Sequence, residues 1–204
     1  MTTGKTALSL IMGASFLLGG TTAVVAADGA ALAEKCERCH GKNGNSEKDQ
    51  VPNIAGFSSA YFVSTMEDYQ KGDRPGKEFE TEGHEKTDMN AIAKKFSKEE
   101  LEALGEFFAK HTFQAHEQET DPKLVKKGKK LYKKRKCKKC HTENGSEADD
   151  DAGILAGQWM PYLQSQFDQF KEGKRTQPKK MKKRFDKLEE GDIPALIHFF
   201  ASQK

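Results

Sequence analysis

Apolar residues along this 204-residue chain recur at helical rather than strand spacing. In "AYFVSTMEDYQKG", Tyr61, Phe62, Met66 and Tyr69 fall near one face of a helix that Gly72 ends. Ser97 followed three residues later by Glu100 is a capping-box pattern and predicts a helix over Lys98–Lys110. Near the C-terminus Asp192 suits an N-cap, and Pro194 falls in the first helical turn, where a missing N–H is tolerated. No segment alternates with the period of a strand. The pattern predicts an all-α protein whose short helices surround something in their middle.

The first stretch has a different character. Lys5 precedes an apolar run from Ala7 to Leu18, and small residues follow to Val25-Ala26-Ala27. That order predicts a secretory signal over residues 1–27, cleaved near Ala27, and hence a periplasmic protein. The run is too short, and too rich in Gly, Ser and Thr, for a membrane span of about 20 residues. No other segment is suited to spanning.

Sliding the chain along itself shows an internal duplication. At a shift of 101 residues, Cys36, Cys39 and His40 fall on Cys137, Cys140 and His141; Gly56 falls on Gly157, Tyr61 on Tyr162 and Arg74 on Arg175. Beyond Arg74 the shift drops to 92, because the first copy carries nine extra residues. There Met89 meets Met181, and "LGEFFAK" meets "LIHFFAS". The expected domains are 28–112 and 121–204, joined by a linker over 113–120.

Composition adds a constraint. Hydrophobic residues make up only 35% of the chain and charged residues 32%, so two small domains of this kind need a disulfide, metal or cofactor as a staple. Charge is unevenly placed. Residues 28–120 hold 12 Lys+Arg against 19 Asp+Glu, whereas residues 121–204 hold 21 against 12. The net charges are therefore −7 and +9, a dipole suited to orienting a docking partner. No nucleic-acid partner is expected.

The chemistry lies in the repeated Cys-x-x-Cys-His, which uses all four cysteines. It is the attachment pattern of c-type haem: two cysteines three apart face one way on a helical turn, and the next residue offers an imidazole to the iron. A thioredoxin-like motif would sit in a βαβ pattern that is absent here. A zinc ribbon would bring both pairs together, yet each lies in its own repeat. Disulfides across three residues would close very small loops and stabilise little.

Methionine is the usual sixth ligand in cytochromes c. Met89 and Met181 match across the repeat, each just upstream of the last helix. Met66 reads as core packing, and Met160, beside Pro161, has no methionine counterpart. His84 lies in the nine-residue excess and reads as a solvated loop residue, with ligation in place of Met89 as the alternative. His111 and His116 fall in or beside the linker, and His198 is a surface or core residue. Phe107-Phe108 and Phe199-Phe200 are placed to pack against the cofactor or the N-terminal helix of each copy. Trp159 reads as packing, with a conduit near the cofactor's edge as the alternative.

Together with "PNIAG", "ILAGQWMPYL" and helices ending "YQKGDR" and "FKEGKR", these residues resemble the two-haem cytochrome c4 family, over nearly all of Asp28–Lys204. Within it, "ILAGQWMPYLQ", "HTFQAHEQETD" and "HFFASQ" look most like the cytochrome subunit of flavocytochrome c sulfide dehydrogenase. The resemblance implies two tandem class I cytochrome c domains about a pseudo-twofold axis, with two covalently bound haem c groups. Cys36 and Cys39 would bind the first haem, with His40 and Met89 on its iron. Cys137, Cys140, His141 and Met181 would do the same for the second. The family's proline carbonyl, which orients the proximal histidine, corresponds to Pro52; Gly153 stands at the aligned position of the second copy.

With both axial positions filled, the expected activity is outer-sphere electron transfer rather than enzymatic turnover. The implied partners are redox proteins, such as a flavoprotein sulfide dehydrogenase subunit or a terminal oxidase. A free carrier and an electron-accepting subunit share this chemistry. The alternative is a dihaem enzyme of peroxidase type, which needs an open iron site.

Overall fold

The computed structural model describes residues 1–2, 27–80, 83, 85–149 and 151–204. The expected signal peptide and His84 therefore lie outside the described residues. Within them the chain forms α-helices, three short 3₁₀ turns and a single antiparallel bridge between Phe79 and Thr87. The bridge belongs to the nine-residue excess of the first copy.

The first copy comprises α1 (Gly29–His40), α2 (Ser59–Lys71), α3 (Met89–Ala93) and α4 (Lys98–Ala109). Asp28 caps α1, accepting from the amide of Ala30 at 3.0 Å. Ser58 caps α2, and Gly72, left-handed at φ 82°, terminates it. The predicted capping box is present: Glu100 N donates to Ser97 Oγ, and Ser97 N donates to the Glu100 carboxylate. Phe62, Met66, Leu101, Leu104 and Phe108 form the core between α2 and α4.

The second copy comprises α5 (Pro122–Lys134), α6 (Met160–Lys171), α7 (Lys179–Phe185) and α8 (Asp192–Ala201). Leu131, Tyr132, Leu163, Leu196, Phe199 and Phe200 form its core. The expected cap at α8 is displaced by one residue. Gly191 at φ 76° is the N-cap, and Asp192 is the first helical residue. From there its carboxylate accepts from the Glu189 amide at 3.1 Å and pairs with Lys127 at 3.1 Å. Met89 and Met181 each sit in a short helix just upstream of the last helix of their copy.

The N-terminal and C-terminal helices of each copy cross at glycine. A Cβ on Gly29 would stand 2.4 Å from the Ala103 carbonyl oxygen, and one on Gly128 would stand 2.0 Å from that of Ala195. Ala103 and Ala195 are repeat counterparts, so the two glycines are too. They are separated by 99 residues, not 101. The second copy thus carries two extra residues between its first helix and Cys137, which the constant shift of 101 hid. The extra turn contains Lys136 in the left-handed region at φ 61°.

Polar side chains lock the copies together. Asn53 N donates to Gln158 Oε1 and Gln158 Nε2 donates to Asn53 O, each at 3.0 Å, with both residues fully buried. Residues 112–118 run as a strap through this contact: Asn53 Nδ2 donates to the Gln114 carbonyl at 2.7 Å, and His116 stacks on Trp159 with ring centroids 3.7 Å apart. Trp159 in turn donates its indole N–H to the Ser46 carbonyl at 2.9 Å. Its packing role is cross-domain.

Candidate haem sites

Each copy holds a cleft lined by its own Cys-x-x-Cys-His motif. The first is walled by Cys36, Cys39 and His40 from α1, by Ile54, Phe57, Phe62 and Met66, and by Met89 and Ile92 from α3. It encloses about 1210 Å³ of empty space including its open mouth. Cys36 and Cys39 are half-buried on adjacent turns of α1, and His40 is buried.

His40 Nδ1 lies 2.8 Å from the Pro52 carbonyl oxygen. That bond makes Nδ1 the protonated nitrogen and leaves Nε2 with its lone pair, the tautomer a metal-binding imidazole needs. Burial holds His40 below the usual histidine range against the opposing pull of the Pro52 carbonyl, so the ring is neutral. Burial also pushes the Cys36 thiol up to about 11. An activated redox thiol is shifted the other way, which removes the thioredoxin-like reading for this pair.

Met89 is held by its neighbours. Asp88 caps α3, accepting from Ala91 N at 2.8 Å. Asn90 Nδ2 donates to the carbonyls of Tyr69 and Arg74, at 2.7 and 2.9 Å, and its Oδ1 accepts from Gly76 N at 2.6 Å. A Cβ on Gly76 would meet Met89 N at 2.7 Å, so the chain passes Met89 only because that residue is glycine.

The second cleft gathers Cys137, Cys140, His141, Leu155, Phe167, Met181 and Phe200, enclosing about 640 Å³. Its motif is built differently. The first helix ends at Lys134, and Cys137–Lys139 form a 3₁₀ turn that leaves Cys140 exposed. Burial raises the Cys137 thiol as it does Cys36. Tyr132 donates its hydroxyl to the His141 carbonyl, tying the motif to α5.

Gly153, where Pro52 stands in the first copy, has a tertiary cause. A Cβ there would lie 2.6 Å from the Tyr61 hydroxyl of the other domain. Of the remaining methionines, Met66 lines the first cleft from α2, and its counterpart Phe167 lines the second. That position asks for apolar bulk rather than sulfur. Met160 packs on the second core. His198 Nδ1 accepts from the Asp121 amide at 3.1 Å, and His111 packs on Phe107 with ring centroids 4.5 Å apart; neither lines a cleft. Phe108 and Phe199 are fully buried, Phe107 and Phe199 lie against the glycine crossings of α1 and α5, and Phe200 lines the second cleft.

The donor set fits a covalently attached porphyrin: two thiols, a histidine, a methionine and apolar walls in each copy. The buried Arg74 adds a polar end to the first cleft. No carboxylate among the described residues pairs with it, and its Nε has no hydrogen-bond partner. Such a group suits the acidic side chains of a haem. The model for the family Cytochrome c matches residues 26–112 and again 125–204. Cytochrome c4 of Azotobacter vinelandii is 35% identical over 162 residues, covering 74% of either chain.

The chain belongs to the cytochrome c4 family.

Cytochrome c4 of Pseudomonas aeruginosa is 30% identical over 185 residues, covering 85% of this chain and 86% of that one. The crystal structure of reduced recombinant cytochrome c4 from Pseudomonas stutzeri superposes with a TM-score of 0.71 at 28% identity, covering 89% of this chain and all of that one. As a member of this family the protein is a dihaem electron-transfer cytochrome with two covalently bound haem c groups, and not an enzyme. The cytochrome c4 relatives give no support to the peroxidase reading.

Proposed function

We propose that the protein is an exported, periplasmic electron carrier in which Cys36 and Cys39 tether one haem and Cys137 and Cys140 the other. His40 with Met89, and His141 with Met181, would hold the two irons. The observation that carries this reading is the gathering of two cysteines, one histidine and one repeat-matched methionine around each cleft. When bound, each haem supplies a one-electron Fe(III)/Fe(II) couple. The chain's own residues do the rest. Pro52 keeps the His40 lone pair available, Asn90 and Asp88 hold Met89 in place, and the apolar walls exclude water.

In this reading residues 1–27 are removed on export, and the two domains are joined by the linker at 113–120. No described helix is long and apolar enough to cross a membrane. A second reading, as the electron-accepting subunit of a flavoprotein complex, is favoured by the stretches "ILAGQWMPYLQ" and "HFFASQ". It predicts co-purification with a larger flavin-bearing chain, whereas a free carrier purifies alone.

The test is intact mass and visible spectroscopy on protein purified from a host with haem-attachment machinery. Two porphyrins per chain and a low-spin, sulfur-ligated spectrum are expected. One porphyrin, or a high-spin spectrum, would contradict the assignment.

A further inference from the structure

The two clefts share a fold but not a rim. Lys138 and Lys139 lie between the second pair of cysteines, and Lys179, Lys180, Lys182, Lys183 and Arg184 flank Met181. The first copy has Glu37 and Arg38, then Thr87, Asp88, Asn90, Ala91 and Ile92, at the matching places. Seven positive charges in the second copy thus stand where the first sums to minus one. Lys136, in the two-residue insertion, adds to them and lines the second cleft with Lys180 and Arg184.

These lysines are available. Lys136, Lys138, Lys139, Lys180 and Lys183 are exposed, and none of them pairs with a carboxylate among the described residues. Lys182 alone of the α7 lysines is paired, with Asp186 at 2.8 Å. The first cleft is bordered instead by the Phe79–Thr87 bridge. Phe79 and Thr87 line the cleft, Lys48 sits 5.3 Å over the Phe79 ring, and Lys86 pairs with Glu78 at 2.6 Å. From Lys77 to Asp88 the sequence holds five carboxylates against two lysines, and of the basic residues at this cleft Lys35 and Lys77 stand beside Asp88 in its lining.

We propose that the mouth of the second cleft is the docking face for an acidic redox protein, so that electrons exchange with that partner through the second domain. The inference rests on the dihaem-carrier reading. Charge complementarity selects the partner's chemistry, and the position of the basic residues around Cys137, Cys140 and Met181 makes docking productive. A lipid surface fits less well. Helices that lie on membranes present an apolar face beside their basic one, and among the described residues Met1 is the one large hydrophobic residue that is exposed.

The experiment uses the dihaem protein, with purified, chemically reduced acidic flavodoxin as electron donor, in stopped flow across a range of ionic strengths. K138E/K180E/K183E should slow second-order reduction about tenfold or more at an ionic strength of about 0.01 M, the lower end of what steering contributes. The difference should vanish at about 1 M, where charges are screened within roughly 3 Å. E78K/E80K/E85K, on the other rim, should leave the low-salt rate within about twofold, well short of the steering range. Equal losses from both sets, or none from the lysine set, would overturn the proposal.

Two other outcomes would also overturn it. One is lysine-dependent pelleting of the protein with anionic phospholipid vesicles in place of flavodoxin docking. The other is low-salt self-association, lost in the lysine variant, that accounts for the salt dependence. Haem content and both potentials are measured on every variant. Loss of the haems or of all electron uptake speaks against the carrier reading itself, whereas normal uptake without charge dependence speaks only against the docking face.

Discussion

Arg74 of the first domain donates to the Tyr162 hydroxyl of the second at 2.7 Å, and Tyr162 is the repeat counterpart of Tyr61 in Arg74's own domain. Arg74 and its counterpart Arg175 converge on the same oxygen, Gln166 Oε1, at 2.8 and 2.7 Å. Each also stacks on an aromatic ring of its own domain: Arg74 on Tyr69 at 4.8 Å, Arg175 on Phe170 at 4.4 Å. Burial, together with the nearby Arg74, lowers the pKa of Arg175. A duplicated domain has thus become a pair joined across its pseudo-symmetry by its own repeated residues.

Arg74→Ala should loosen that joint. Each buried partner left without its bond costs about 1–3 kcal/mol, so denaturant unfolding should shift by that order and protease should cut faster within 112–118. Arg74→Lys should not rescue it fully: one ammonium could donate to both oxygens, as Nη2 does, but it cannot stack flat on Tyr69. Full rescue by lysine would show that charge alone matters there.

Gly128→Ala tests the helix crossing of the second domain. Its Cβ would stand 2.0 Å from the Ala195 carbonyl oxygen and 2.5 Å from Phe199 Cβ. Overpacking of this kind costs about 1–3 kcal/mol, measurable as a lowered urea midpoint with unchanged slope. Gly173→Ala is the contrast: at φ 68° with nothing within 4 Å, it meets backbone strain but no clash. Its smaller penalty should be of order 1 kcal/mol.

Met89→Leu and Met181→Leu should each change one haem and spare the other. Loss of a thioether ligand lowers the reduction potential. A fall of more than about 59 mV, tenfold in a one-electron equilibrium, is expected at the altered domain in potentiometric titration. Met66→Leu should leave both potentials unchanged. A drop from Met66→Leu matching that from Met89→Leu would reassign the ligand.

His116 gives a pH dependence with a definite sign. Burial against Trp159 lowers its pKa below the usual histidine value, with Glu47 and the Ser46 backbone opposing. Below the ordinary histidine range the unfolded chain holds the proton more tightly, so stability falls as pH drops from about 6.5 toward the lower folded value. Above about 6.5 this contribution is fully present. His116→Gln should flatten the acidic limb of a stability–pH profile, and an unchanged limb would assign it to other groups.

Much of this was legible in the chain because it is local or repeated. Helix faces, the Ser97–Glu100 box and two copies of Cys-x-x-Cys-His can be read without distant contacts, and a duplication displays itself by comparison with its own other half. The cofactor type and number follow from that motif, since thioether spacing and an adjacent imidazole are short-range demands. Tertiary structure decided the rest. The two residues inserted before Cys137 emerged only from the matching crossings at Gly29 and Gly128, because a constant shift in sequence cannot show which residues touch. Gly153 departs from proline because Tyr61, more than ninety residues earlier, comes down upon it. The Asn53–Gln158 exchange and the shared oxygen of Gln166 depend on how two nearly identical folds pack. That packing is set by shape and burial over the whole surface, which no stretch of sequence carries by itself.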